Sequence, residues 1–114
     1  RNTKVWTAFD LEMNQPSGKI IEIGACSFNI ETREIISTFR SLVKIDEKLC
    51  TDRSICHIPE LTGITDEMLE EEGGTLLDAY EALCHFHKGG NGNTNPIVWG
   101  QGDSRALRTQ MMQV

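Results

Sequence analysis

Residues 4–11 place Val5, Trp6, Ala8 and Phe9 in a nearly unbroken apolar run, the pattern of a strand buried near the middle of a sheet. The polar stretch 14–19 that follows holds Pro16, Ser17 and Gly18, which is turn chemistry. A second apolar segment, 20–30, carries Ile20, Ile21, Ile23, Ala25, Cys26 and Phe28. After the short polar link 31–33, a third segment, 34–43, carries Ile35, Ile36, Phe39, Leu42 and Val43. Links this short join antiparallel neighbours, so the pattern predicts a three-strand meander.

The pattern then changes. Residues 46–59 have no clear period and read as irregular, with a short helical turn at most. Thr65 is placed to cap a short helix with Asp66 and Glu67 in its first turn, and the run Glu70, Glu71, Glu72 reads as its solvated face. Thr75 is the next cap, before Leu76, Ala79, Tyr80, Leu83 and Phe86 at helical spacing and a stop at Lys88 and Gly89. Residues 89–96 are rich in Gly and Asn and predict a loop; Ile97, Val98 and Trp99 predict a short strand; 100–102 predict a turn. From Ser104 the chain reads helical, with Leu107, Met111 and Val114 on one face and the pair Met111 and Met112 as core filling. A strand reached through a helical crossover lies parallel to an earlier one. The expected fold class is therefore α/β: a mixed sheet of an antiparallel meander plus one parallel strand, with helices packed on it.

Composition narrows the function more than the fold. The chain has 114 residues, 39% hydrophobic and 25% charged, the profile of one domain. Its 11 basic and 17 acidic residues leave a net charge of -6, which argues against a basic, nonspecific nucleic-acid clamp. No apolar run is long enough to span a membrane, so no membrane partner is expected. No signal peptide is visible in the polar opening Arg1, Asn2, Thr3, Lys4. Cys26, Cys50, Cys56 and Cys84 form no Cys-x-x-Cys pair and read as reduced thiols of a cytoplasmic protein. A zinc site would have to recruit Cys50, Cys56, His57, Cys84 and His87, whose spacing fits no standard pattern. The chain opens on Arg1 and stops at Val114 in a segment that still reads helical, so a fragment of a longer protein is expected.

Chemistry concentrates in two places. Side chains alternate along a strand, so Asp10 and Glu12 of "FDLEMN" share a face. Two carboxylates at that spacing repel each other unless a cation lies between them, and hard divalent ions take such oxygen ligands. Asp-x-Glu is common and usually just exposed; here it ends an apolar strand. Asp103 follows the short strand 97–99 and opens the last helix. If that strand lies parallel beside the first, Asp103 comes close to Asp10 and Glu12, at the carboxyl end where α/β sheets gather ligands. Asp is also a good helix cap, and position alone does not separate cap from ligand.

Four segments in this order, "FDLEMN", "GKIIEIGA", "LTGIT" and "WGQGD", resemble the DnaQ-like, or DEDD, 3'–5' exonucleases, which share an RNase H-like fold. The "LTGIT" and "WGQGD" versions look most like the branch that trims histone mRNA ends and small RNAs, with its bacterial KapD-like relatives. The resemblance implies an exonuclease domain over 1–114, in its N-terminal part. It implies Asp10, Glu12 and Asp103 as catalytic metal ligands, and two Mg²⁺ or Mn²⁺ ions in the complete site. Glu12, Met13, Leu61 and Thr62 would meet the terminal nucleotide of a single-stranded 3' end, with RNA favoured over DNA. Without the resemblance, Leu61 would read as a core residue and Thr62 as a turn residue before Gly63. The family completes its site with a His and an Asp downstream of the second motif; no His or acid follows Asp103 here, and His57, His85 and His87 all precede it. A catalytically incomplete RNase H-like module, binding nucleic acid or a protein partner, is the alternative.

Overall fold

The computed structural model describes residues 4–88, 97–99 and 103–114. Strands β1 (Val5–Met13), β2 (Ile20–Asn29) and β3 (Ile35–Leu42) form the antiparallel meander. Helices α1 (Ile58–Thr62), α2 (Asp66–Glu72) and α3 (Leu76–Lys88) follow, then β4 (Ile97–Trp99) and α4 (Asp103–Met111). The sheet order is β3-β2-β1-β4, and β4 lies parallel to β1 with Thr7, Ala8 and Phe9 opposite Ile97, Val98 and Trp99. The predicted loop 89–96 and turn 100–102 lie outside the described residues.

Alternation along β1 separates two faces. Thr7, Phe9 and Leu11 are buried, and with Ile20, Ile23 and Phe39 they meet Ala79 and Leu83 of α3 and Leu107 of α4. Phe39 and Phe86 pack with ring centroids 5.3 Å apart. On the other face Trp6, Ala8, Gly24, Cys26 and Phe28 are only half-buried, and Asp10, Thr38 and Arg40 are exposed. A second cluster holds Ile21, Leu42, Leu49, Ile58, Ile64 and Leu69, and ties α1 and α2 to the ends of β2 and β3. Backbone bonds extend this tie: Gly74 N donates to the Leu42 carbonyl and Lys44 N to the Gly74 carbonyl.

Several local expectations are revised. The first strand runs on through Glu12 and Met13, with a register irregularity at that point. The segment read as irregular ends in α1, capped by His57 Nδ1, which accepts from Glu60 N, and closed by Gly63 at φ 78°. Five residues are too few to show a helical period, and a histidine is an uncommon cap. Leu61 lies on this helix, 70% exposed, and is not a core residue. Met111 packs against the core, whereas Met112 and Val114 lie past the end of α4 and are exposed.

Candidate active site

Asp10 and Glu12 sit on the face of β1 that the helices leave open. Asp10 pairs with Gly24 of β2 and Glu12 with Glu22. A shallow depression of about 300 Å³ adjoins Asp10, lined also by Ala8, Gly24 and Cys26. Glu22 directly opposite Glu12 is a like-charge cross-strand pair, which is unfavourable by itself. Arg40, next along on β3, donates from Nε to Glu22 Oε2 and offsets that repulsion.

Asp103 reaches the same end of the sheet by a different route. Parallel pairing brings the end of β4 to Phe9, one residue before Asp10. Asp103 then begins α4 and is only 7% exposed. Gln110, two turns along α4, fixes the helix to the β1–β2 turn. Its Nε2 donates to the Gly18 carbonyl at 2.7 Å and its Oε1 accepts from Ile20 N at 2.9 Å.

The electrostatics register this assembly at Glu12. Burial pushes its carboxyl above the usual range, and the charges of Asp10, Glu22 and Asp103 push it further the same way. Both other acids of the expected trio, Asp10 and Asp103, are therefore felt by Glu12. Yet among the described residues no three His, Cys, Asp or Glu side chains are gathered closely enough to hold a metal ion. The expected convergence of Asp10, Glu12 and Asp103 within one ion's reach is not met among the described residues. The donor chemistry fits a hard divalent cation: oxygen ligands alone, from two neighbouring strand ends, with one of them already disfavoured as a free anion.

The "LTGIT" segment is tied to the same end of β1 through Asn14. This side chain is 1% exposed and bonds to the loop that leads into α1. Thr62 closes α1: its Oγ1 donates to the Ile58 carbonyl at 2.8 Å and accepts from Ile64 N at 3.1 Å. Met13 is half-buried against the main core. Of the side chains considered for zinc, His57 caps α1 and His87 Nδ1 lies 2.9 Å from Thr7 Oγ1. Asn14 was legible only as a turn residue, since its partners lie far along the chain.

Residues 7–95 match the RNase T exonuclease family. The chain belongs to that family. That match includes "FDLEMN", "GKIIEIGA" and "LTGIT" of the DEDD exonuclease resemblance and ends before "WGQGD". No curated protein sequence matches it significantly.

Solved structures share the fold. The nuclease domain of 3'hExo, a DEDDh family member solved with rAMP bound, is 20% identical with a TM-score of 0.70, over 98% of this chain and 61% of that one. A full-length 3'-exonuclease is 18% identical with a TM-score of 0.69, over 98% of this chain and 54% of that one. A 3'-exonuclease in 3'-end specific recognition of histone mRNA stem-loop is 19% identical with a TM-score of 0.68, over 100% of this chain and 55% of that one. The chain thus spans little more than half the length of these structures.

Proposed function

We propose that this exonuclease-family chain supplies the metal-binding half of a 3'–5' exonuclease acting on single-stranded 3' ends, with RNA favoured over DNA. The observation that supports this reading is geometric: β4 lies parallel to β1 and ends opposite Phe9, so the buried Asp103 that opens α4 follows the strand beside the one carrying Asp10 and Glu12. Asp10, Glu12 and Asp103 would hold Mg²⁺ or Mn²⁺, two ions in the complete site. The chemistry such ions would supply there is neutralisation of the scissile phosphate and a lowered pKa of an attacking water.

The chain's own residues do the rest. The open face of β1 admits a strand to Asp10, and the backbone at Met13 with Leu61 and Thr62 would receive the terminal nucleotide. Leu61 is suited to this because an exposed apolar side chain offers a base a surface to rest on without reading its identity. A cation site also explains how a chain of net charge -6 can hold a polyanion. The rAMP bound to 3'hExo and the histone mRNA recognised by its relative support RNA. We read residues 1–114 as the N-terminal part of the domain, in a cytoplasmic protein.

No His or acid follows Asp103 in these residues, so the 114 residues by themselves should be nearly inactive. Loss of a general base alone removes a factor of about 10²–10⁴. The test uses 5'-labelled single-stranded RNA and DNA with Mn²⁺, comparing these residues, a longer protein containing them, and its Asp10→Asn and Asp103→Asn variants. A ladder of 3'-shortened RNA from the longer protein, lost in both variants, is expected. Nucleic-acid binding without any ladder would instead favour the binding-module reading.

A further inference from the structure

Asn14 stands two residues beyond Glu12, and its side chain joins the end of β1 to residues 47–50, the stretch that leads into α1. Its Nδ2 donates to Glu47 Oε2 at 2.6 Å and to the Lys48 carbonyl at 3.0 Å, and its Oδ1 accepts from Cys50 N at 2.8 Å. The backbone of Asn14 closes the β1–β2 turn, N donating to the Lys19 carbonyl and O accepting from Gly18 N, both at 2.8 Å. From Cys50 the connection continues, because its carbonyl accepts from Ile58 N, the first residue of α1. Glu47 is itself held by Ser17 Oγ at 2.6 Å and by Lys19 Nζ at 3.5 Å. The side-chain oxygen and amide of Asn14 are both used, which the 1% exposure demands of a polar group.

We propose that Asn14 is a positioning residue that sets the distance between the carboxylate end of β1 and the α1 segment carrying Leu61 and Thr62. It thereby shapes a site for a nucleoside 5'-monophosphate, the terminal unit of the strand. The inference rests on the nuclease reading above and deepens it. Among the described hydrogen bonds, Asn14 links the residue directly after β1 to residues 47, 48 and 50, while Ser17 and Lys19 reach Glu47 from farther along the β1–β2 turn. Glu12 and Met13 precede it directly in β1, whereas Leu61 and Thr62 reach it only through Cys50 and Ile58. Removing the Asn14 amide therefore loosens one side of the site relative to the other, while the second core cluster still holds α1 to the sheet and the three carboxylates are not themselves altered.

The test measures two affinities on the same protein by calorimetry: Mn²⁺ alone, and AMP in the presence of saturating Mn²⁺. The variants are Asn14→Ala and the milder Glu47→Ala, which removes one of the three side-chain bonds, with Asp10→Asn as the metal control. Thermal melts fix a working temperature at which every variant is folded. The expected result is an AMP affinity about tenfold weaker in Asn14→Ala, the order expected when a buried polar group loses its partners. A smaller loss is expected in Glu47→Ala, with Mn²⁺ affinity unchanged in both. A purely structural role would lower the melting temperature and leave the AMP affinity of the folded protein unaltered, which overturns the proposal. If Asn14→Ala does not fold, Glu47→Ala decides: unchanged AMP affinity there overturns it equally. Failure of the unaltered protein to bind Mn²⁺ or AMP sinks the nuclease reading and the inference with it, and is distinguishable because it precedes any variant.

Discussion

Two carboxylates near the end of β1 respond to pH in opposite directions. Glu12 has its folded pKa raised, first by burial and then by Asp10, Glu22 and Asp103. Its ionised form is therefore a burden in the folded chain. The stability that its protonated form contributes is complete below the ordinary glutamate value and is lost as pH rises through the raised one. Glu12→Gln should accordingly raise the melting temperature at pH 7 without divalent cations, and the gain should vanish near pH 4. Saturating Mn²⁺ should reverse its sign by favouring the unaltered protein, and melts at the two pH values with and without the ion check this. Glu47 has its folded pKa lowered, first by the hydrogen bond from Ser17 and then by Asn14 and Lys19, against the opposing effect of burial. Its contribution is present above the ordinary glutamate value and is lost as pH falls through the lowered one. Glu47→Gln should therefore flatten the acid limb of the stability profile, a difference readable by urea titration between pH 3 and pH 6.

At the scale of the element, short helices depend on their ends. Thr65 Oγ1 accepts from Met68 N at 3.1 Å, so Thr65→Ala should cost about 1 kcal/mol in chemical denaturation. Gly73 is a stricter case. A Cβ there would meet the Leu69 carbonyl at 2.5 Å and Lys44 N at 2.8 Å, both backbone atoms. The end of α2 and the backbone after β3 are packed too closely for any side chain. Gly73→Ala should cost about 1–3 kcal/mol, as overpacking usually does, whereas Gly74→Ala meets no atom within 4 Å and should cost less. A pair of urea denaturation curves separates the two. The acidic helix 66–72 and the helix after Thr75 were legible because their caps and periods are local. Helix α1 was not: its cap is a histidine, Pro59 lies in its first turn, and its apolar Leu61 faces outward.

At the scale of the molecule, the side chain of Gln110 adds hydrogen bonds to the packing that holds α4 against the start of the chain. Gln110 bonds to Gly18 and Ile20, roughly ninety residues away in sequence, and Ile20 itself is 1% exposed. Gln110→Ala would leave the Ile20 amide buried without its acceptor, at a cost of about 1–3 kcal/mol. It would also loosen the helix that begins with Asp103, so Mn²⁺ affinity should fall with stability, whereas the exposed Thr109→Ala should change neither. Calorimetric titration of both variants with Mn²⁺ distinguishes them.

Apolar runs and turn residues sufficed to read the meander, because a strand buried on one side shows its period in its own few residues, and a short link leaves antiparallel pairing as the economical connection. They also sufficed to place Asp10 and Glu12 on one face, since alternation is a local property. Composition did not pick out the family; four short motifs in order did. The helical crossover already predicted β4 parallel to the strand carrying Asp10, and the structure pairs them so, whereas the burial of Asp103 and the rise in the Glu12 pKa were decided only in three dimensions. Each depends on groups brought together across dozens of residues, where no local pattern carries the distance. Asn14 shows the same limit most plainly. In the sequence it is a polar residue two positions before Pro16, and in the fold three hydrogen bonds to residues 47–50 make it a tie between the acids and the stretch leading into α1.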